Sequence, residues 1–199
     1  QQVQEYRGRH HHAQRHVVVP DHRDHRDHHR EHDPVERESQ LAVHLGIAIS
    51  RGDRFDWVIQ KATELGAASI WPLFTERTGV KLAGERVEKK LVHWRQVAIS
   101  ACEQCGRNTL PEIAAPLDLA SWIAKTDADQ KFVLHHRADT ASGNTEIPRS
   151  IALLVGPEGG LSDNEIILAE QAGFQSLRLG PRVLRTETAP VAALARVSL

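Results

Sequence analysis

From residue 41 to the end of the chain, apolar residues gather in short uninterrupted runs. Runs of this kind are typical of strands that are buried on both faces of a sheet. They predict strands at residues 41–49, 68–74, 131–136 and 150–156, and a last short strand is predicted at residues 176–180.

The segments between these runs have the spacing of helices. In residues 53–66 the apolar positions recur on one helical face, and Gly66 is placed to end the helix. Ser162 and Glu165 have the spacing of a capping box, which predicts a helix that starts there and ends at Gly173. Two more helices are predicted, one from about Glu85 to Cys105 and one that starts near Thr188 with Pro190 in its first turn. Because strands alternate with helices, the predicted fold class is α/β, a parallel sheet flanked by helices.

Residues 8–32 break this pattern, since His, Asp and Arg repeat there with neither a helical nor a strand period. Such a segment cannot bury a core. Three interpretations stay open: disorder, metal binding through His and Asp ligands, and a stretch translated out of frame. We therefore predict two regions, residues 1–40 as a degenerate remnant of an N-terminal domain and residues 41–199 as the folded domain.

Composition limits the classes of function. The chain has 199 residues, enough for one medium domain, and its formal net charge is -1. Nine of the 13 histidines lie in the first forty residues, and the remainder of the chain carries equal numbers of acidic and basic residues. Any RNA binding must therefore be local, because no strongly basic domain is present.

The sequence also bears on location and completeness. It has neither an apolar run of membrane-spanning length nor a signal-peptide pattern, so we expect a cytoplasmic protein with no membrane partner. It contains no methionine and stops within an apolar helical pattern, so we expect a fragment. Cys102 and Cys105 have no second cysteine pair, which favours a structural role over zinc or redox chemistry, and no metal ligand is assigned.

Candidate ligand-binding residues follow three of the predicted strands, where ligands bind in open α/β sheets. The first stretch is "LHHRA", residues 134–138, and the second is "GPEGG", residues 156–160. The glycines of the second stretch let backbone N–H and C=O groups approach a ligand closely. This stretch lacks the Gly-Lys-Ser/Thr ending of a phosphate loop, and a plain turn remains the alternative.

The third stretch, "LGPRVLRTETAPVAALA", covers residues 179–195 and runs from a strand into the last helix. A capped helix start would explain Thr188 and Glu187. It would leave Arg182 and Arg185 without a role.

Two of these segments together, "LLVGPEGGLSDNEI" and "LGPRVLRTETAPVAAL", closely resemble the bacterial 16S ribosomal RNA uracil-N3 methyltransferases, the RsmE family of the SPOUT superfamily. "SRGDRFDWVIQKATELG", "ERTGVKL" and "HWRQVAISACEQCGR" fit the same family in the same order. The resemblance implies a C-terminal trefoil knot, a homodimer and S-adenosyl-L-methionine as cofactor. It also implies an N-terminal PUA-like barrel, which residues 1–33 are too few to form.

Carried over motif by motif, the resemblance implies a cofactor site that is lined mainly by backbone groups, which suits a neutral adenosine and a zwitterionic tail. The residues assigned to this site are Leu134, His135, Gly156, Pro157, Glu158, Gly159, Gly160, Leu179, Gly180, Pro181, Arg182, Val183, Leu184, Thr186, Thr188 and Ala189.

The implied reaction methylates uracil N3 in 16S ribosomal RNA of the small ribosomal subunit. N3 must lose its proton, and negative charge then spreads over O2 and O4, so the protein must supply alignment, a cation and a base. Arg185 fits the cationic role, with Arg77 as the second choice, and Glu187 fits either a base or a helix cap. Arg77 and Arg107 are candidates for contacts with RNA.

A function of a different class stays open beside this one. The chain would then be a non-catalytic cofactor- or RNA-binding remnant, inactivated by the loss of its N-terminal barrel.

Overall fold

The computed structural model describes residues 37–80, 82–135 and 148–198. Within these residues the strands are β1 (Ala42–Ala48), β2 (Ala67–Phe74), β3 (Glu112–Ile113), β4 (Leu117–Asp118), β5 (Gln130–Leu134), β6 (Ser150–Val155) and β7 (Gln175–Leu177). The helices are α1 (Arg54–Glu64), α2 (Glu85–Cys105), α3 (Leu119–Lys125), α4 (Asp163–Gln171) and α5 (Thr188–Ser198). The predicted histidine-rich tract lies outside the described residues, and so do Lys81 and residues 136–138 of the quoted motifs.

The seven strands form one sheet, and every pairing between them is parallel. Their order is β3-β2-β1-β6-β5-β7, with β4 as a second partner of β2. The predicted parallel α/β class is therefore confirmed. Because parallel strands all point the same way, the carboxyl ends of β5, β6 and β7 lie at one edge of the sheet.

Helices cover both faces of the sheet. On one face, Val43, Leu45 and Ile47 of β1 pack with side chains from α1, α2 and α5. On the other face, α3 and α4 pack against Ala152 and Leu154 of β6. Since neighbouring residues of a strand enter opposite cores, central strands of this sheet must be apolar at every position, which is the pattern seen in the sequence.

Gly46 of β1 makes room for α3. A Cβ atom at this position would lie 2.5 Å from the ring of Trp122, a distance at which one of the two groups would have to move. Trp122 is almost fully buried, and its ring also packs against Phe174 with 5.7 Å between the ring centroids. Because Gly46 has no side chain, the sheet leaves space at this position for the indole of Trp122 on α3.

Pro72 explains why the outer neighbour of β2 consists of two short strands. β3 pairs with β2 before this residue, and β4 pairs with it afterwards. The carbonyl of Ile70 accepts a hydrogen bond from Ala114 on the outer side. Pro72, two residues further along, faces the same side, where its missing N–H interrupts the ladder.

The C-terminal strand is shorter than predicted. The expected strand covers residues 176–180, whereas β7 ends at Leu177. Beyond it, Arg178 turns back, and its Nε donates a hydrogen bond to the carbonyl of Gly180 at 3.0 Å. Residues 178–180 therefore form part of a loop rather than of the sheet.

The segment before β1 is tied to the body of the domain. Arg37 donates to the carbonyl of Gly106 at 3.0 Å, and Glu38 pairs with Arg107 at 2.6 Å. The domain boundary at residue 40 and the trefoil knot stay predictions. None of the helices in the described ranges is long and apolar enough to cross a membrane.

Candidate active site

The carboxyl end of β5 and the loops after β6 and β7 line a cavity of about 710 Å³ at the carboxyl edge of the sheet. All three candidate stretches contribute to its lining. The assigned residues that line it are Leu134, His135, Gly156, Pro157, Glu158, Gly159, Gly160, Leu179, Gly180, Arg182, Val183, Leu184, Thr186 and Ala189, together with Arg77, Arg185 and Glu187. Pro181 and Thr188 were assigned to the cofactor site but do not line the cavity.

The β6–α4 loop requires its first glycine. A Cβ atom on Gly156 would lie 2.9 Å from both Cγ and the backbone nitrogen of Leu161, so the loop folds back onto the position that a side chain would fill. Gly160 closes the turn with a φ of 69°, and its N–H donates to the carbonyl of Pro157 at 2.8 Å. The loop is therefore tightly folded, and three of its five lining residues, Gly156, Gly159 and Gly160, have no side chain.

The capping box at the end of this loop is confirmed. The Ser162 hydroxyl accepts the N–H of Glu165 at 3.2 Å, and the Glu165 carboxylate accepts the N–H of Ser162 at 2.8 Å. Both residues are buried, and α4 begins at Asp163 as expected. Two otherwise unpaired N–H groups at the helix start are satisfied in this way.

The third stretch forms a loop that lines the cavity, and α5 begins after it at Thr188. The carbonyl of Arg185 accepts the N–H groups of Thr188 and Ala189, both at 2.9 Å, which starts the helix. The Arg185 side chain remains 79% exposed, while that of Glu187 is 20% exposed and lies 4.0 Å away. Arg185 thus carries a positive charge at the cavity without a packing role in the core.

The cavity lining carries more positive than negative side chains. The cationic ones are Arg54, Arg77, Arg178, Arg182 and Arg185. The anionic ones are Glu158, Asp163 and Glu187. A domain that is neutral overall therefore has a local basic region at this cavity, which can attract an anionic polymer.

Arg77 contacts the β6–α4 loop directly. Its Nη1 donates to the carbonyl of Gly159 at 2.9 Å and to that of Leu161 at 3.3 Å. The side chain is exposed, so the structure brings Arg77 to the cavity but gives it partners within the protein.

Arg107, a candidate for contact with RNA, has a buried side chain in the structure. Its exposed fraction is 7%. Nε and Nη2 donate to the Glu38 carboxylate, and Nη1 donates to the carbonyls of Thr63 and Ala67 at 2.7 and 3.1 Å. A guanidinium with these partners stabilises the fold and is not accessible to a phosphate.

Three charged residues that line the cavity were not among the residues assigned from the sequence: Arg54, Asp163 and Arg178. Arg54 is the first residue of α1, and its Nη1 lies 3.1 Å from Oε1 of Glu158. The signal was its position soon after a predicted strand. This position indicates a lining residue only once the strand order is known, because β1 lies beside β6.

The two cysteines and the nearby His93 and Trp94 lie away from the cavity. Cys102 is buried at the end of α2, and burial raises the pKa of its thiol to about 11. Trp94 is buried against Phe55, whereas His93 is exposed and lies 2.6 Å from Asp56. Among the residues described, no group of three or more His, Cys, Asp or Glu side chains could hold a metal ion.

Known proteins of similar sequence identify the family of this chain. The model of a family described as an RNA methyltransferase domain matches residues 37–198. A ribosomal RNA small subunit methyltransferase E from Buchnera aphidicola is 40% identical over 165 residues, which cover 81% of this chain and 67% of the relative. The chain belongs to the ribosomal RNA small subunit methyltransferase E family. The resemblance found in the sequence motifs is thereby confirmed.

Solved structures of similar proteins contain the cofactor of this family. A methyltransferase from Legionella pneumophila, in complex with bound SAM, is 47% identical with a TM-score of 0.78, over 82% of this chain and 68% of that one. A methyltransferase E from Neisseria gonorrhoeae, bound to S-adenosyl methionine, is 40% identical with a TM-score of 0.76 and the same coverage. The chain spans about two thirds of the length of the curated relatives of methyltransferase E that it matches.

Proposed function

We propose that the chain is the catalytic domain of an S-adenosylmethionine-dependent methyltransferase that modifies uracil N3 in small-subunit ribosomal RNA. The observation that carries this proposal is a cavity to which all three candidate stretches of the sequence contribute lining residues. Family membership supports the reaction class. The choice of uracil N3 rests on the resemblance of the motifs to the uracil-N3 methyltransferases.

The cavity fits S-adenosylmethionine in size and in chemistry. Its volume of about 710 Å³ lies within the usual range of cofactor sites. The backbone of residues 156–160 could contact adenosine and the amino-acid tail through N–H and C=O groups, because Gly156, Gly159 and Gly160 line the cavity and have no side chain. When bound, the cofactor supplies an electrophilic methyl group on a sulfonium.

Arg185 is the residue best placed to favour the chemistry on the RNA side. Loss of the N3 proton leaves negative charge that spreads over O2 and O4 of the uracil, and a nearby guanidinium stabilises that charge. Arg185 lines the cavity and is 79% exposed, so it can reach a base that enters from solvent. Glu187, which is less exposed, can accept the N3 proton or hold Arg185 in place.

RNA is the proposed macromolecular partner. Arg178 and Arg182 are exposed beside Arg185 on the loop over the cavity, where phosphates on either side of the target base could bind. A substrate in the ribosome would place the protein in the cytoplasm. The non-catalytic alternative gains no support from the comparisons, because the similar proteins are named as methyltransferases and two of them contain the cofactor.

A homodimer is also proposed, as the sequence resemblance implies. Trp57 on α1 is 41% exposed and Val92 on α2 is 67% exposed, and the contact between Asp56 and His93 brings these two helices together beside them. Exposed apolar side chains on adjacent helices favour an interface with a second copy. Light scattering at high protein concentration should show twice the monomer mass, and a monomer alone would contradict the assembly.

The proposed function is tested in two steps. Calorimetry of the chain with S-adenosylhomocysteine should give a saturable heat, and a folded sample with no detectable heat would contradict the cofactor assignment. Transfer of a labelled methyl group to small-subunit ribosomal RNA, followed by nucleoside mass spectrometry, should then yield 3-methyluridine. A different methylated nucleoside would retain the enzyme class and overturn the N3 assignment.

The variant Arg185→Ala separates catalysis from binding. We expect a loss of turnover of roughly 10²–10³ with nearly unchanged affinity for S-adenosylhomocysteine. Arg86→Ala, an exposed arginine on α2 outside the cavity, serves as the matched control. Wild-type turnover in Arg185→Ala would remove the catalytic role.

A further inference from the structure

The β2–α2 loop donates hydrogen bonds both to the β6–α4 loop and to the start of α4. From the first loop, Arg77 donates to the carbonyls of Gly159 and Leu161. These two carbonyls lie on either side of Gly160, the residue with positive φ in the turn. The guanidinium therefore bridges the turn at its tightest point.

Glu165 forms the second connection. Its Oε2 accepts the N–H of Ser162 at 2.8 Å, as a capping box requires, while its Oε1 accepts the N–H of Glu76 at 2.9 Å. Helix capping needs only the first of these contacts. The second contact joins a buried carboxylate, 7% exposed, to the backbone of the β2–α2 loop.

The donors of the β2–α2 loop are adjacent and held in place by their own turn. Glu76 uses its backbone N–H and Arg77 uses its side chain, so two consecutive residues hold both ends of residues 159–165. Thr75 and Thr78 flank these two residues and contact each other. The Thr78 hydroxyl accepts the N–H of Thr75 at 3.0 Å and lies 2.8 Å from the Thr75 hydroxyl. The support is thus a rigid turn anchored at the end of β2.

From this geometry we propose that Arg77 and Glu165 are positioning residues, which hold the β6–α4 loop in the conformation that binds the cofactor. The inference rests on the proposed cofactor site. It assigns Arg77 a role within the protein in place of a contact with RNA. Loss of the guanidinium leaves two loop carbonyls without their donor, so the turn at Gly160 opens more often and the binding-competent fraction falls.

The test combines a ligand-free and a ligand-bound measurement on the full chain. In the ligand-free protein, the Gly160 amide, which donates to the carbonyl of Pro157, should exchange with solvent about tenfold faster in Arg77→Ala than in wild type. The affinity for S-adenosylhomocysteine, measured by calorimetry, should fall about tenfold. Arg77→Lys, which keeps one donor for Gly159, should recover part of both losses.

Arg51→Ala is the matched control. Arg51 is exposed and donates to the carbonyl of Gly79 at 3.2 Å, at the far end of the same β2–α2 loop, but it does not line the cavity. We expect wild-type exchange at Gly160 and wild-type affinity in this variant. Equal effects of Arg51→Ala and Arg77→Ala would mean that general loosening of the loop is responsible, and the positioning role would be lost.

Glu165→Gln tests the second contact, because a glutamine amide keeps one accepting oxygen and cannot accept both N–H groups. It should also speed exchange at Gly160 and weaken binding. Unchanged exchange at Gly160 in a folded Arg77→Ala would overturn the proposal whatever the ligand data show. If wild type itself does not bind S-adenosylhomocysteine, the proposed cofactor fails, while the exchange measurement still decides whether Arg77 holds the loop.

Discussion

Arg107 and Glu38 form a two-point contact in which Nη2 lies 2.6 Å from Oε2 and Nε lies 2.9 Å from Oε1. The same guanidinium reaches the carbonyls of Thr63 and Ala67. One side chain therefore connects the segment before β1 to the turn between α1 and β2. This connection is structural, although the sequence suggested a contact with RNA.

The variant Arg107→Ala should lower the free energy of unfolding by about 3 kcal/mol, because it removes the contact of the guanidinium with the partly buried Glu38 carboxylate and its hydrogen bonds to the carbonyls of Thr63 and Ala67. Urea denaturation measures this loss. Arg95→Ala, an exposed position on α2, should change stability by less than about 0.5 kcal/mol. If Arg107→Ala has wild-type stability but binds RNA more weakly, then Arg107 contacts RNA and its structural role is contradicted.

Gly156→Ala should weaken binding of S-adenosylhomocysteine more than Gly159→Ala. The added Cβ meets Leu161 at 2.9 Å in the first case, so the loop must shift. In the second case it meets only the Arg77 side chain at 3.6 Å, an ordinary contact. Calorimetry on both variants gives the comparison, and a greater loss for Gly159→Ala would contradict the backbone-lined site.

His44 should make the folded state less stable in mild acid. Its Nδ1 lies 2.8 Å from the Ser69 hydroxyl, and burial lowers the pKa of the imidazole below 6.5, although the charge of Glu112 opposes this. The unfolded chain thus takes up the proton at a higher pH than the folded chain. The stability contribution is fully present above pH 6.5 and is lost as the pH falls through the folded pKa.

Urea denaturation at pH 8 and pH 5.5 should therefore show a smaller difference for His44→Asn, which cannot take up the proton, than for wild type. The pKa values of Asp118 and Asp129 are lowered by hydrogen bonds from Ser121 and from the backbone of Arg149, respectively, so these groups act only at more acidic pH. An identical pH dependence in wild type and His44→Asn would exclude His44 as the source.

Cys102 should resist alkylation in the native state. Burial raises the pKa of its thiol to about 11, and the thiolate is the reactive form. In the variant Cys105→Ser, iodoacetamide at pH 8 should label the single remaining thiol only after denaturant is added. Rapid labelling of the folded variant, monitored by mass spectrometry, would show that the end of α2 opens readily.

The sheet was predictable because its central strands are buried on both faces. β1 and β6 are apolar at nearly every position, and the capping box of Ser162 and Glu165 fixes the start of α4 within one residue. β3 and β4 were not predictable, since each contains two residues and exists only because β2 offers a partner.

The site was predictable in part for a similar reason. Motifs that follow strands identified three stretches at the carboxyl edge. The 16 cofactor residues were carried over from the family resemblance, and 14 of them line the cavity. The partners of arginines were not predictable. Arg77 and Arg107 are alike in sequence, yet one contacts a loop at the cavity and the other is buried beside Glu38. Only the tertiary structure determines which carbonyls and carboxylates face a guanidinium.

The position of β6 between β1 and β5 has a consequence for synthesis on the ribosome. About 100 residues separate the end of β1 from the start of its neighbour β6. At roughly 5–20 residues per second, the nascent chain carries β1 with one edge unpaired for about 5–20 seconds. During that interval the edge of β1 that β6 later occupies is open to pairing with other chains.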